Sequence, residues 1–294
     1  MFLTQDASLG VRLSMRSRRF MLFVAVLFAF MPGIVLSAQN AANPASLSSP
    51  GAMQRSGFGA AGYLAEGEVN FLQVLPPYPV LQSKEDEVDV AVLQQWQQPD
   101  GSPRWQLAQA DAVLSYSRFS DSFGSEVSAD KTPLLVHLLD RVEADMSATL
   151  HEAKSYYHRP RPYQRLQFSH VCGFAHPPVP ETSPSEGNSY PSGHATFGWS
   201  ATLVLAEVAP DRAQTILARG REYGESRLVC AVHYPSDVLA GELLVTATFG
   251  RLSAQPEFKR DLSCAQQEHA VVLKTRDSIS AECLSLRNQL SKNR

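Results

Sequence analysis

Basic residues are sparse and scattered: 26 Lys and Arg against 29 Asp and Glu give a formal charge of -3. With no dense Lys/Arg block in the body of the chain, the electrostatic footprint of a nucleic-acid polymer binder is missing. The 17 Gly and 19 Pro follow no period, which excludes a collagen-like or low-complexity chain, and no repeat of solenoid length is found. Beyond the first 38 residues no apolar run reaches 18 residues. The nearest, Val238 to Gly250, contains Glu242, so no stable membrane insertion is expected once the leader is gone. No hairpin signal or alternating strand pattern competes with the helical spacings, and no His/Cys/Asp cluster has metal-ligand spacing.

What is present begins with a leader. Arg16, Arg18 and Arg19 precede an apolar stretch from Phe20 to Leu36 that runs into Ser37-Ala38-Gln39, the order of a secretory signal peptide cleaved near Ala38. An uncleaved anchor is the alternative. Export to the periplasm or the medium gives the four cysteines an oxidising setting. Three pairings are open. Cys172 and Cys230 each lie beside a motif described below, while Cys264 and Cys283 are local to the C-terminal end, which favours Cys172 with Cys230 and Cys264 with Cys283 over four buried thiols.

Residues 39–74 read as a flexible lead-in, 75–274 as one helical domain and 275–294 as a C-terminal tail. Leu75-Pro76-Pro77-Tyr78-Pro79 must run extended. Val88, Val92 and Trp96 stand at helical steps, and Trp105, Leu107, Ala110, Val113 and Leu114 do so next. Thr132 and Pro133 supply a cap and a first-turn proline for a long helix through Leu134, Leu138, Val142 and Met146 to about Tyr157. Further helices are expected over 194–208, 211–228, 236–252 and 257–274. The fold class is all-α, a helical bundle.

Three segments carry chemistry. In Lys154-Ser-Tyr-Tyr-His-Arg-Pro-Arg161-Pro162, the prolines end the long helix, so Lys154 and Arg161 can bracket an anion. In Ser189-Tyr-Pro191-Ser192-Gly193-His194, Ser192 is placed to cap the next helix. Gly193 lets a ligand approach the free N–H groups there, and His194 can donate a proton beside them. In Ser226-Arg227-Leu-Val-Cys-Ala-Val-His233-Tyr-Pro-Ser-Asp237, the four-residue spacing lets Asp237 bind one imidazole nitrogen of His233 and leave the other unprotonated toward a cavity. Taken singly, each has a plainer reading: a solvated basic helix end, a capped helix, a structural His-Asp pair.

In this order the three match the tripartite signature Lys-x6-Arg-Pro, Pro-Ser-Gly-His and Ser-Arg-x5-His-x3-Asp. The chain resembles the type 2 phosphatidic acid phosphatase and vanadium haloperoxidase superfamily. Within it, Ser-Tyr-Pro-Ser-Gly-His, Gly198-Trp199 and the Pro-rich Leu75 to Pro79 are similar to bacterial class A nonspecific acid phosphatases, with Ala195 standing where those carry Thr. The resemblance implies a metal-independent, cofactor-free phosphatase of small phosphate esters, with a homodimer as the relatives' assembly. It also implies roles: His233 as nucleophile, Asp237 as its orienter, His194 as proton donor, and Lys154, Arg161, Arg227, Ser192 and Gly193 as holders of the phosphate oxygens. A vanadium haloperoxidase or a lipid phosphate phosphatase using the same anion pocket is the alternative.

Overall fold

The computed structural model describes residues 60–173 and 189–292, so the expected leader over 1–38 and the lead-in as far as residue 59 lie outside the described residues. Among the described residues there are eleven α-helices and no strand. They are α1 (Phe71–Val74), α2 (Lys84–Gln95), α3 (Pro103–Ala110), α4 (Ser120–Phe123), α5 (Pro133–Tyr157), α6 (Pro162–Arg165), α7 (Gly193–Val208), α8 (Ala213–Val229), α9 (Pro235–Leu252), α10 (Pro256–Val272) and α11 (Ala281–Lys292). None is long and apolar enough to cross a membrane.

The centre of the bundle is α7. Its sequence is apolar on nearly every face, and it is packed by α5, α8, α9 and α10. Small residues let α8 come close: a Cβ on Gly220 would sit 2.1 Å from Thr202 Oγ1, and one on Gly198 would sit 2.3 Å from the Tyr223 ring. Leu135, Leu138, Leu139, Val142 and Met146 of α5 join Phe197, Ala201, Val204 and Leu205 of α7 in the main core.

Several elements differ from the expectation in instructive ways. Thr132 does not cap α5; its hydroxyl turns back to the carbonyl of Ser128. The cap is supplied instead by Glu268 of α10, whose carboxylate accepts from Leu134 N (3.0 Å) and Leu135 N (3.0 Å). The apolar steps of α2 are only partly buried, Val92 halfway and Trp96, at the C-cap, packed against the core. Val88 is 60% exposed, whereas Asp86, Asp89 and Leu93 are buried, because Arg159 and Arg165 lie opposite the two carboxylates. The helix expected from Trp105 to Leu114, α3, ends at Ala110 and leaves Val113 and Leu114 exposed beyond it.

Part of the expected flexible lead-in is tied down. The Asp145 carboxylate accepts from the amides of Tyr63 and Leu64, and the Tyr63 hydroxyl donates to Asp261. The Pro-rich run is extended, held by Tyr157 Oη and Tyr190 Oη donating to the carbonyls of Leu75 and Pro76. The cysteines pair as Cys172–Cys230 and Cys264–Cys283, the second fastening α11 to α10.

Candidate active site

Four helix ends converge at one end of the bundle: the last turns of α5, the start of α7, the end of α8 and the start of α9. Lys154 lies in the last turn of α5, whose helix stops when His158 turns left-handed before Arg159-Pro160-Arg161-Pro162. Gly193 opens α7 against the stem of Lys154: a Cβ there would lie 3.8 Å from Lys154 Cε and 3.3 Å from Leu150. Ser192 caps α7, its hydroxyl accepting from Ala195 N at 3.3 Å, and its own amide donates to Asp237 O at 2.9 Å. That last bond joins the α7 start to the first turn of α9. Gly241 permits the contact, since a Cβ there would meet the Ser192 carbonyl at 2.7 Å.

His233 is buried just before α9. Arg161 Nη1 lies 3.2 Å from its Nε2 and also donates to Val232 O at 3.0 Å. A guanidinium can only donate, so Nε2 presents its lone pair and the ring proton sits on Nδ1. On that side Asp237 Oδ2 is 3.5 Å away, an ion-pair distance, and Ser189 Oγ bridges the gap: it donates to Asp237 Oδ2 (2.5 Å) and lies 3.4 Å from His233 Nδ1. Burial and the charges of Arg161 and Lys154 hold His233 well below the usual imidazole pKa, against the pull of Asp237. Burial alone would raise Asp237, but hydrogen bonding to His233, the charges of Arg159 and His233, and the Ser189 bond outweigh it and hold the carboxyl at about 2.

His194, half-buried, places Nε2 3.0 Å from the carbonyl of Ala112. Burial, with Arg227, Arg161 and Lys154 around it, pushes its pKa down to about 3. Arg227 is 2% exposed, donates from Nη2 to Ala108 O at 2.9 Å, and keeps a buried Nε with no hydrogen-bond partner among the described residues; burial lowers its pKa to about 10. The structure thus brings together Lys154, Arg161, Ser192, Gly193, His194, Arg227, His233 and Asp237. Cys172–Cys230 braces the turn between Arg227 and His233, with Cys172 N donating to Cys230 O at 3.3 Å.

Over residues 144–261 the chain matches the PAP2 superfamily. It is 34% identical over 212 residues to the non-specific acid phosphatase of Salmonella typhimurium (strain LT2), covering 69% of this chain and 81% of that one. The chain belongs to the non-specific acid phosphatases of the PAP2 superfamily. The acid phosphatase of Zymomonas mobilis is 33% identical over 205 residues, covering 67% of this chain and 74% of its own. The non-specific acid phosphatase of Providencia stuartii is 31% identical over 211 residues, covering 70% and 83%.

Sequence reasoning did not single out four residues that stand in or directly behind this cluster. Ser189 was visible in the Ser-Tyr-Pro-Ser-Gly-His wording but carried no role. Arg159 is fully buried and donates to Asp237 Oδ1 at 2.6 Å; in Arg159-Pro-Arg161-Pro nothing in the spacing says which arginine faces the pocket. Asp89, on α2, binds Arg159 at 2.9 Å. Asp111, fully buried, accepts from Ser226 Oγ at 2.7 Å and so braces the residue before Arg227.

Proposed function

We propose that this chain is an exported acid phosphatase that hydrolyses phosphate monoesters of broad type, small organic phosphates and nucleotides among them, through a phosphohistidine on His233 and without a metal ion. The observation that carries the reading is the arrangement of His233: its Nε2 lone pair faces Arg161 at 3.2 Å while Nδ1 is turned to Ser189 and Asp237.

The ester's phosphoryl group is held by Lys154, Arg161 and Arg227 together with Ser192 and the Gly193 N–H at the start of α7, which neutralise its equatorial oxygens as the transition state spreads charge onto them. The His233 Nε2 lone pair attacks phosphorus, forming the N–P bond as the P–O ester bond breaks. The leaving oxygen takes a proton from His194. Because the Ala112 carbonyl accepts from Nε2, the transferable proton is the one on His194 Nδ1. His233 becomes cationic at this point, and Ser189 and Asp237 stabilise that charge through Nδ1. Water then gives its proton back to His194 Nδ1 and attacks phosphorus, and the N–P electron pair returns to Nε2 as phosphate forms.

The two disulfides support an oxidising compartment, as does the leader-like order of residues 1–38. The test is acid-labile label on histidine after quenching with phosphorus-labelled substrate, lost in His233→Ala together with turnover, and activity that survives EDTA. Full turnover in His233→Ala, or loss on chelation restored by a divalent metal, would overturn the scheme.

A further inference from the structure

Behind the nucleophile lies a second layer of charge that the mechanism above does not use. Arg159 is wholly buried. Nη1 donates to Asp237 Oδ1 (2.6 Å) and to Ser236 Oγ (2.8 Å), and Nη2 donates to Asp89 Oδ2 (2.9 Å). Its guanidinium lies 4.0 Å over the Tyr234 ring. Asp89 is itself fixed to the start of α9, accepting from Ser236 N at 3.1 Å and from Ser236 Oγ. The order is therefore carboxylate, guanidinium, carboxylate, imidazole, running from α2 through the chain after α5 to His233. Such an array is costly to bury and does not repay itself in stability alone, so a role at the end that reaches the nucleophile is the reason to look for.

We infer that Arg159, anchored by Asp89, is a positioning residue for the phosphoryl transfer: it fixes Asp237 by Oδ1 so that Oδ2 stays turned to Ser189 and His233. The inference rests on the reading of His233 and Asp237 as the nucleophilic pair. The two oxygens of Asp237 divide the work. Oδ1 takes Arg159, and Oδ2 takes Ser189 and the Tyr234 amide at 2.8 Å beside His233.

The charged and titratable groups around Asp237 come from every element packed on it. Asp86 and Asp89 stand on α2, with Asp86 3.7 Å from Arg159. Arg159 comes from the chain after α5, Tyr190 from the segment before α7, and His233 and Tyr234 from its own loop. Among the described residues Arg159 is the arginine in contact with Asp237, while Arg161 and Lys154 face His233 from its other side. Removing it raises the pKa of both Asp237 and His233, and removing Asp89 lowers both.

These signs make the test. In the full chain, Arg159→Gln moves the acidic limb of the kcat/KM profile for p-nitrophenyl phosphate to higher pH, by roughly one to three units for a charge in contact. Asp89→Asn, close to isosteric, moves it to lower pH. Arg159→Lys keeps the charge but loses the fork, so its limb stays in place while kcat falls, on the order of 10²-fold if the pair is displaced by about 1 Å. Limbs that superimpose on the wild type in both Arg159→Gln and Asp89→Asn would overturn the inference. If Arg159→Gln fails to fold by circular dichroism, the decision falls to the other two: an unmoved limb in Asp89→Asn overturns it. Full activity in His233→Ala would instead sink the underlying mechanism, and so the two failures are told apart.

Discussion

On the proposed mechanism, His194 depends on its substrate to become competent. Burial first, and then the charges of Arg227, Arg161 and Lys154, push its pKa down to about 3, which keeps it neutral at pH 5 in the free protein. An arriving dianion should offset the cations' share of that shift and raise the pKa, so binding is expected to draw a proton onto Nδ1. Sulfate, a dianion throughout the acidic range, should therefore bind with proton uptake at pH 5. Calorimetry in two buffers of different ionisation enthalpy should give different heats, and the difference should shrink in His194→Ala. Equal heats for the wild type would contradict this coupling. The residues at the pocket wall were legible because each sits in a motif with a fixed offset. Arg159 was not, since its partner Asp89 stands 70 residues away on a helix whose apolar steps pointed to another face.

At the scale of the element, helix boundaries were read well where proline or a capping side chain marks them, as at Pro133, Ser192 and Pro235. What could not be read is which distant group satisfies a helix end or faces a helix side. Glu268 caps α5 from 134 residues away, and no local pattern announces it. Glu143 is a second case. It sits in the α5 stripe but faces α7, with Ser147 Oγ (3.0 Å) and Ser200 Oγ (3.5 Å) as donors, and burial pushes its pKa up to about 7 with Asp140 adding to the shift. The folded state thus keeps a proton that the unfolded chain gives up near 4.5. The stability tied to that proton is complete below 4.5 and is lost as pH rises through about 7, an effect of about 3 kcal/mol. Glu143→Gln should match the wild type in denaturant titrations at pH 4 and exceed it by about that amount at pH 8. A constant difference across pH would show that Glu143 is not the group concerned.

Over the whole molecule, the two disulfides divide stability from function. Cys264–Cys283 closes a 19-residue separation between α10 and α11, beside Leu134 and far along the chain from the motifs. Cys172–Cys230 closes 58 residues and sits in the turn that carries Arg227 into His233. Loop closure assigns them about 3 and about 4 kcal/mol respectively. The double variant Cys264→Ser/Cys283→Ser should lose stability in chemical denaturation and keep its kcat/KM. Cys172→Ser/Cys230→Ser should lose both, because Val232 O, which receives Arg161, moves with that turn. Equal kinetic losses in the two would refute the division.

The gathering of Lys154, Arg161 and Arg227 around one end of the bundle also has a consequence after the chemistry is over. On the proposed mechanism the alcohol departs neutral, but inorganic phosphate is left as an anion among the same cations that would draw the ester in. On that mechanism the product therefore competes with the substrate, and added inorganic phosphate should raise KM for p-nitrophenyl phosphate while leaving kcat unchanged.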